Sequence, residues 1–443
     1  MKLAVHVLGR EVGILESQGD FKSVFTYLPD VSSDDFVSLT MPVRTESWKW
    51  DGPLHPIFQM HLPEGFLLQT LQEQLGPQVG AAPTTLLSFL GRRMIGRLQV
   101  SVPGADLDQP PQPFELKEVL QGDNSEVAFA NLVRRYAVSG VSGAMPKFLE
   151  GTQGIGENNK STFLVGRYLV KGSSAHLPHL ALNEHLCLKV AERLIPTART
   201  HLSDDGLALV VERFDVDGEG KPEFGLEDFC VLLGLAPTRK YETTWERIHG
   251  AVSDHVSPEF LHETRVQLGY QLLLTYALRN ADCHAKNLSL IYHNRRDVHL
   301  APAYDLITTV AYAGYQDNPP GISLAGKKTW QPGKTVQTFL KGHLGLSFEY
   351  QKEMVERVCQ AVSDTQSEIP AAMERYPSFR ELGKWMLNAW SDGIDSLRDK
   401  RVYALAPWPK NEAVADLSDP TPRLAPATRI IGRSEAIAPP RVS

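Results

Sequence analysis

Between Ser257 and Ala277 apolar side chains return at helical spacing, with Val266, Tyr270, Leu273, Leu274 and Ala277 sharing one face. Ser257-Pro258-Glu259 supplies a helix start: an oxygen to cap, a proline at the first helical position and an acid in the first turn. The pattern stops at Asn280, where a polar run begins. Leu288 to Tyr292 then reads as a strand, Asn294-Arg295-Arg296-Asp297 as a turn, and Val298 to Ala303 as a returning strand. Upstream, Thr162–Val165 and Tyr168–Lys171 flank Gly166-Arg167 as a second hairpin. A helix is expected over His179–Leu194, with Pro196 just beyond it, and a buried strand over Ala208–Asp215. At the start of the chain, Lys2–Val7 and Val12–Leu15 form a third hairpin with Gly9-Arg10 at its turn. Further helices are predicted at Phe66–Leu75, Thr84–Leu90, Gln351–Val362 and Trp385–Leu397.

Proline and charge divide this pattern into units. Residues 1–105 read as a small α+β subdomain, followed by a proline-rich linker at Pro103–Pro113. Residues 115–245 carry the mixed strands and helix of a nucleotide-binding lobe, and residues 246–402 are mostly helical around the central hairpin. Residues 406–443 are dominated by proline and alanine and are expected to be disordered. The fold class is α+β. At 443 residues, 42% hydrophobic and 22% charged, the chain has the composition of a soluble globular protein. Its net charge of −7 excludes broad electrostatic attraction to nucleic acid. Cys187, Cys230, Cys283 and Cys359 are scattered without a C-x-x-C pair, which suits reduced thiols rather than disulfides or zinc. The chain reaches Arg10 and Glu11 before a signal-peptide core could form, and no apolar run approaches the roughly 20 residues of a membrane span. A cytoplasmic location is expected.

The polar run holds the chemistry. Asp282 and Asn287 are separated by four residues, and Asp305 follows one hairpin later. Phosphoryl transfer from ATP needs this layout: one carboxylate to orient the attacking hydroxyl and take its proton, then an amide oxygen and a second carboxylate to hold Mg2+. Lys171, at a strand end, has the place of a lysine that pairs with the nucleotide phosphates. Glu184, one turn into the next helix, is its candidate partner; a solvated lysine and a surface acid are the blander readings. His284 and Lys286 lie in the same loop, either facing the nucleotide or bracing the loop. The stretch Ser139-Gly140-Val141-Ser142-Gly143-Ala144-Met145-Pro146-Lys147 brings small residues and a cation suited to phosphate, although it is no Walker motif.

In this order the pieces resemble the HipA family of serine/threonine kinases, the toxin half of bacterial toxin–antitoxin modules. The matching segments are the small-residue loop through Pro146-Lys147, Tyr168–Lys171, Asn183-Glu184, Val211–Asp215, Lys240-Tyr241-Glu242, Asn280–Asn287 and Pro302–Asp305. His61-Leu62-Pro63-Glu64-Gly65 is similar to the family's L-L-P-E-G stretch. The resemblance implies a two-lobed protein-kinase-like fold with a small N-terminal subdomain and a mostly helical C-terminal lobe. It implies Asp282 as catalytic base, Asn287 and Asp305 as magnesium ligands, and Lys171 on the phosphates of ATP. Glu212, Arg213 and Phe214 would form the adenine hinge. Val141, Ser142, Gly143, Ala144, Met145 and Lys147 would form the phosphate loop. The family commonly reads S-I-S-G-x-Q-P-K in that loop; here the first serine is Gly140 and the glutamine is Met145. Autophosphorylation therefore falls to Ser142, with Ser139 a poorer second. The implied partners are a helix-turn-helix antitoxin, DNA only through that antitoxin, and a translation protein such as an aminoacyl-tRNA synthetase as substrate.

Two alternatives share these residues. A small-molecule phosphotransferase has the same acid-to-asparagine layout but should lack the L-P-E-G unit and the serine-bearing loop. A catalytically silent scaffold that helps an antitoxin repress transcription would retain the fold and tolerate the altered loop.

Overall fold

The computed structural model describes residues 1–17, 22–60, 62, 82–107, 114–139 and 161–409. The N-terminal sheet is antiparallel, with strand order β4-β3-β2-β1-β5: β1 Lys2–Val7, β2 Arg10–Ser17, β3 Lys22–Tyr27, β4 Trp48–Asp51 and β5 Leu98–Ser101. The first hairpin turns at Leu8-Gly9, one residue earlier than the pattern predicts. Both residues have positive φ (48° and 78°), which lets β2 begin at Arg10. Alternate residues Leu3, Val5 and Val7 of β1 point into a core shared with Leu15, Phe25, Ile57 and Phe58. Helix α1 (Pro83–Leu90) contributes Leu87 to that core.

A second antiparallel sheet has the order β6-β7-β9-β8, from Ser161–Val165, Tyr168–Gly172, Ala208–Glu212 and Thr200–Leu202. Helix α2 (Glu126–Ser139) places Phe129 and Val133 against Val170 and Val210 on one face. Helix α3 (Leu180–Glu192) places Ala181 against Leu209 and Val211 on the other. The expected strand Ala208–Asp215 ends at Glu212, because Arg213 and Asp215 leave the ladder to bind the N-terminal unit.

The largest core surrounds α4 (Trp245–His255), α5 (Leu261–Ala277), α6 (Lys334–Gly342), α7 (Phe348–Gln366) and α8 (Arg380–Leu397). α5 is sheathed by its neighbours: from Gln267 to Ala277 every residue is buried, so the one-sided stripe understates its burial. Ser257 does not cap it. Its hydroxyl accepts from Val298 N–H at 3.0 Å, and Pro258–Phe260 forms a separate 3₁₀ turn ahead of α5. Where α8 crosses α5, a Cβ on Gly393 would lie 2.0 Å from the Ala277 carbonyl oxygen, so only glycine lets the backbones approach this closely.

A small sheet joins β10 (Gly225–Asp228), well before the polar loop, to β11 (Ser289–Tyr292) and β12 (His299–Leu300), which follow it. β12 is shorter than the predicted Val298–Ala303. After it the chain turns to the second sheet's side, where Ala303 N–H donates to Pro196 O at 2.8 Å and Ala198 N–H to Ala303 O at 2.9 Å. That detour delivers Asp305. The architecture is α+β, with a small N-terminal sheet region and a helical C-terminal region. The predicted helix Phe66–Leu75, most of the L-P-E-G stretch, the loop Gly140–Lys147 with Ser142, and residues 410–443 lie outside the described residues.

Candidate active site

The site is assembled from three directions. α5 ends at Ala277 with Leu278 as its cap, and Arg279 adopts a left-handed conformation (φ 55°) that turns the chain sharply. Its guanidinium is anchored on the carbonyls of Asp392 (2.7 Å) and Trp330 (3.1 Å). Asn280 then organises the loop, its side-chain oxygen accepting from Asp282 N–H at 3.1 Å. The same N–H reaches the Thr309 hydroxyl at 3.2 Å. These bonds hold the Asp282 backbone, and the Tyr241 phenol donates to its Oδ1 at 2.5 Å.

The loop closes as a 3₁₀ turn over Ala285–Asn287, with His284 N–H donating to Asn287 Oδ1 at 3.0 Å. The Asn287 amide nitrogen donates in turn to Asp305 Oδ2. Asp305 carries a positive φ of 57°, rare for a β-substituted residue. Strain of that kind concentrates at functional sites, where neighbours over-determine the conformation. Here Asn183 helps to hold it: its Oδ1 accepts from Thr308 N–H at 2.8 Å and its amide donates to Thr308 O at 3.2 Å. The Trp390 indole donates to the Thr308 hydroxyl at 2.6 Å.

From the second sheet, Lys171 reaches Glu184 Oε1 at 2.6 Å and Asp305 Oδ1 at 3.1 Å. Glu184 is only 2% exposed, which rules out the surface-acid reading, and its charge is matched by the ammonium. The lysine, the asparagine and the second acid therefore meet, and Asp282 stands on the same loop as Asn287. Lys286 is half-buried, and its carbonyl accepts from the Tyr304 phenol at 2.9 Å, so its backbone braces the segment before Asp305. His284 is buried, its ring edge-on to Tyr241 at 5.1 Å between centroids. Cys283 is buried as well. Desolvation pushes its thiol up to about 12, leaving it neutral and inert despite its place in the loop.

At the end of β9, Glu212 accepts from His201 Nε2 at 2.8 Å, and its own N–H donates to Arg199 O at 2.8 Å. Arg213 N–H donates to Arg167 O at 2.9 Å, and Phe214 packs on Tyr304 with centroids 6.0 Å apart. Three features escape the sequence reading. Asp215 binds Arg213 and the N–H of Gly96. Glu227, in the short strand β10, is fully buried and accepts from Ser38 Oγ (2.6 Å), Leu39 N–H (2.7 Å) and the Tyr292 phenol (2.5 Å). Tyr241 lies within the matched Lys240-Tyr241-Glu242 segment, yet nothing in that tripeptide indicates contact with Asp282.

Residues 139–366 match the family model of the HipA-like C-terminal domain, and residues 3–101 that of the HipA N-terminal domain. A Sinorhizobium fredii protein named "Putative kinase Y4dM" is 26% identical over 341 residues, covering 71% of this chain and 79% of the relative. A second protein of that bacterium, "Putative kinase Y4mE", is 24% identical over 307 residues, covering 62% and 69%. Among solved structures, a chain of the Shewanella oneidensis complex of HipA, HipB and operator DNA superposes with a TM-score of 0.62. It is 18% identical and the match covers 95% of this chain and all of that one, a likeness of fold.

Proposed function

The chain belongs to the HipA family, and from that premise we propose that it is an ATP- and Mg2+-dependent serine/threonine kinase, the toxin of a toxin–antitoxin pair. The observation that carries the reading is the meeting of Lys171, Glu184, Asn287 and Asp305 beside the loop that holds Asp282.

In this reading Asp282 accepts the proton of the acceptor hydroxyl as that oxygen attacks the γ-phosphorus and ADP leaves. Lys171, oriented by Glu184, neutralises phosphate oxygens. The donor set suits magnesium, a hard cation that takes oxygen ligands and commonly binds one or two carboxylates together with nucleotide phosphates. Asp305 offers a carboxylate, and Asn287 Oδ1 keeps a second lone pair beyond the one used by His284 N–H. Bound there, the ion would supply charge neutralisation at the transferring phosphate. In the hinge, the amides of Glu212 and Arg213 are engaged within the lobe, which directs adenine to Phe214 and to the carbonyls. Val141–Lys147 would close over the phosphates, with Ser142 as the autophosphorylated residue.

The partner would be a helix-turn-helix antitoxin carrying the DNA contact. The HipB and operator DNA of the Shewanella complex and this chain's net charge of −7 support that arrangement. The substrate would be a protein of translation, an aminoacyl-tRNA synthetase being the first to assay. The reading is tested by calorimetry of ATP binding across a magnesium titration. Wild-type affinity should rise with magnesium, and Asp305→Ala should lose that dependence. Equal magnesium dependence in both proteins would remove Asp305 from the metal site.

A further inference from the structure

A cavity of about 290 Å3 lies under the β4 edge of the N-terminal sheet, and no residue of the loop that holds Asp282 lines it. Strand register builds its floor. Ser23 stands opposite Trp50 and Phe25 opposite Trp48, so these four side chains share one face of the sheet. Lys49, between the two tryptophans, is exposed and alternates to the other face. The facing wall carries His55 and Phe58, from the helical turn Pro56–Gln59 and its cap, and Val231 and Gly234, from the chain after β10. Gly234 brings no side chain to the wall beside the Trp50 ring, which lies 3.7 Å from where its Cβ would stand.

Two polar groups border this aromatic space. Ser23 is 2% exposed and lines the cavity, yet its hydroxyl makes no hydrogen bond among the described residues. His55 Nδ1 accepts from Ile57 N–H at 3.2 Å, and burial lowers the pKa of the ring to about 4, so at neutral pH its one ring proton sits on Nε2. That N–H has no acceptor among the described residues, and the ring stands edge-on to Trp50 at 4.8 Å between centroids. A buried polar group left unmet costs free energy, which an acceptor placed in the cavity recovers. With Lys49 turned outward, no charged side chain faces the interior, and an ion would enter at a desolvation cost that nothing repays. The volume is at the lower end of pockets that hold small molecules, too small for a folded segment. We propose that the cavity binds an uncharged, planar, bicyclic aromatic molecule with hydrogen-bond acceptors along one edge. Its rings pack on Trp48 and Trp50, His55 Nε2–H donates to one acceptor, and the Ser23 hydroxyl donates to another. Such a molecule touches the N-terminal sheet and also the structure behind the Asp282 loop. The helix Phe229–Leu232, which carries Val231, begins with Phe229 N–H donating to Leu288 O at 3.2 Å, directly after Asn287. The site stands whatever reaction that loop performs.

Coumarin is the probe, since it is uncharged and carries two acceptor oxygens on one edge of a bicyclic ring. Naphthalene, with the same outline and no polar atom, is its control. Both are titrated into the full chain labelled with ¹⁵N in its tryptophan indoles. The chain has seven tryptophans, and Trp48→Phe and Trp50→Phe assign the two resonances that matter. The expected result is a saturable shift of the Trp48 and Trp50 indoles by coumarin, with the other indoles unmoved. Naphthalene should bind roughly tenfold more weakly, and His55→Phe should narrow that gap to about twofold. Ser23→Ala should weaken coumarin by about threefold and leave naphthalene unchanged. The proposal is overturned if coumarin moves neither indole up to its solubility limit, or moves only indoles elsewhere in the chain. Equal affinity for coumarin and naphthalene in the wild type would overturn it too, by showing that the polar edge is not read. That comparison decides the matter without any variant, so a His55→Phe protein that fails to fold leaves the test intact.

Discussion

Replacing Asp215 by alanine should weaken the junction between the N-terminal unit and the end of β9 more than its surface-loop position in the sequence suggests. The carboxylate is 2% exposed and accepts from Arg213 Nε at 3.0 Å and Nη2 at 2.5 Å. Its Oδ2 also accepts from Gly96 N–H at 2.6 Å, and Arg213 continues to Met94 O at 3.0 Å. At an effective dielectric of about 20, unit charges this close attract by roughly 5 kcal/mol, most of which offsets the cost of taking both out of water. As a unit the pair contributes little net stability. Removing one half is different, because the guanidinium and the Gly96 amide lose a buried acceptor. That costs about 3–5 kcal/mol, or roughly 3–5 °C in thermal midpoint for a chain of this size. Asp215→Asn, which keeps an acceptor oxygen, should fall between. The diagnostic variant is Arg213→Met with Asp215→Leu, which removes both charges and should recover most of the loss. Thermal unfolding followed by fluorescence gives the comparison. A midpoint for Asp215→Ala within about 2 °C of wild type, or a double variant no better than the single, would refute the account of this junction.

Two further outcomes follow from the packing and the protonation states. Gly393→Ala should destabilise by about 1–3 kcal/mol in chemical denaturation, since its Cβ would meet the α5 backbone at 2.0 Å; an unchanged midpoint would mean the helices yield freely. Burial lowers the pKa of His55 to about 4, and its Nδ1 accepts from Ile57 N–H only while neutral. The folded value lies below the ordinary one near 6.5, so this stabilisation is complete above about pH 6.5 and is lost as pH falls toward 4. His185, lowered by burial to about 4, acts with the same sign. His55→Gln should flatten the decline in urea midpoint between pH 7 and pH 5, and an identical slope would contradict the assignment.

How much could be read in the chain depended on how local the cause was. The polar loop announced itself because Asp282 and Asn287 sit on one turn, and the Lys171–Glu184 pair because a strand end and the next helix lie close in sequence. The small-sheet strand was overextended because its early exit is decided by bonds to Pro196 and Ala198, about a hundred residues upstream. Ser257 has the composition of a cap, but the competing bond to Val298 wins its hydroxyl. Asp215 and Glu227 were invisible for the same reason. Their partners lie 119 and 188 positions away, and an acid read in the sequence says nothing of what will satisfy it once it is buried. Tyr241 illustrates the limit from the other side: the segment was recognisable by resemblance, but its contact with Asp282 is visible only in the fold.

The claim that this cleft transfers phosphate is tested most directly by incubating the purified protein with γ-labelled ATP and magnesium, beside Asp282→Ala, and mapping the label by mass spectrometry. The account predicts label on Ser142 of the wild type and none on the variant, with both proteins folded and both binding ATP. Equal labelling of the two proteins, or no transfer to any acceptor by a wild type that binds ATP, would contradict it.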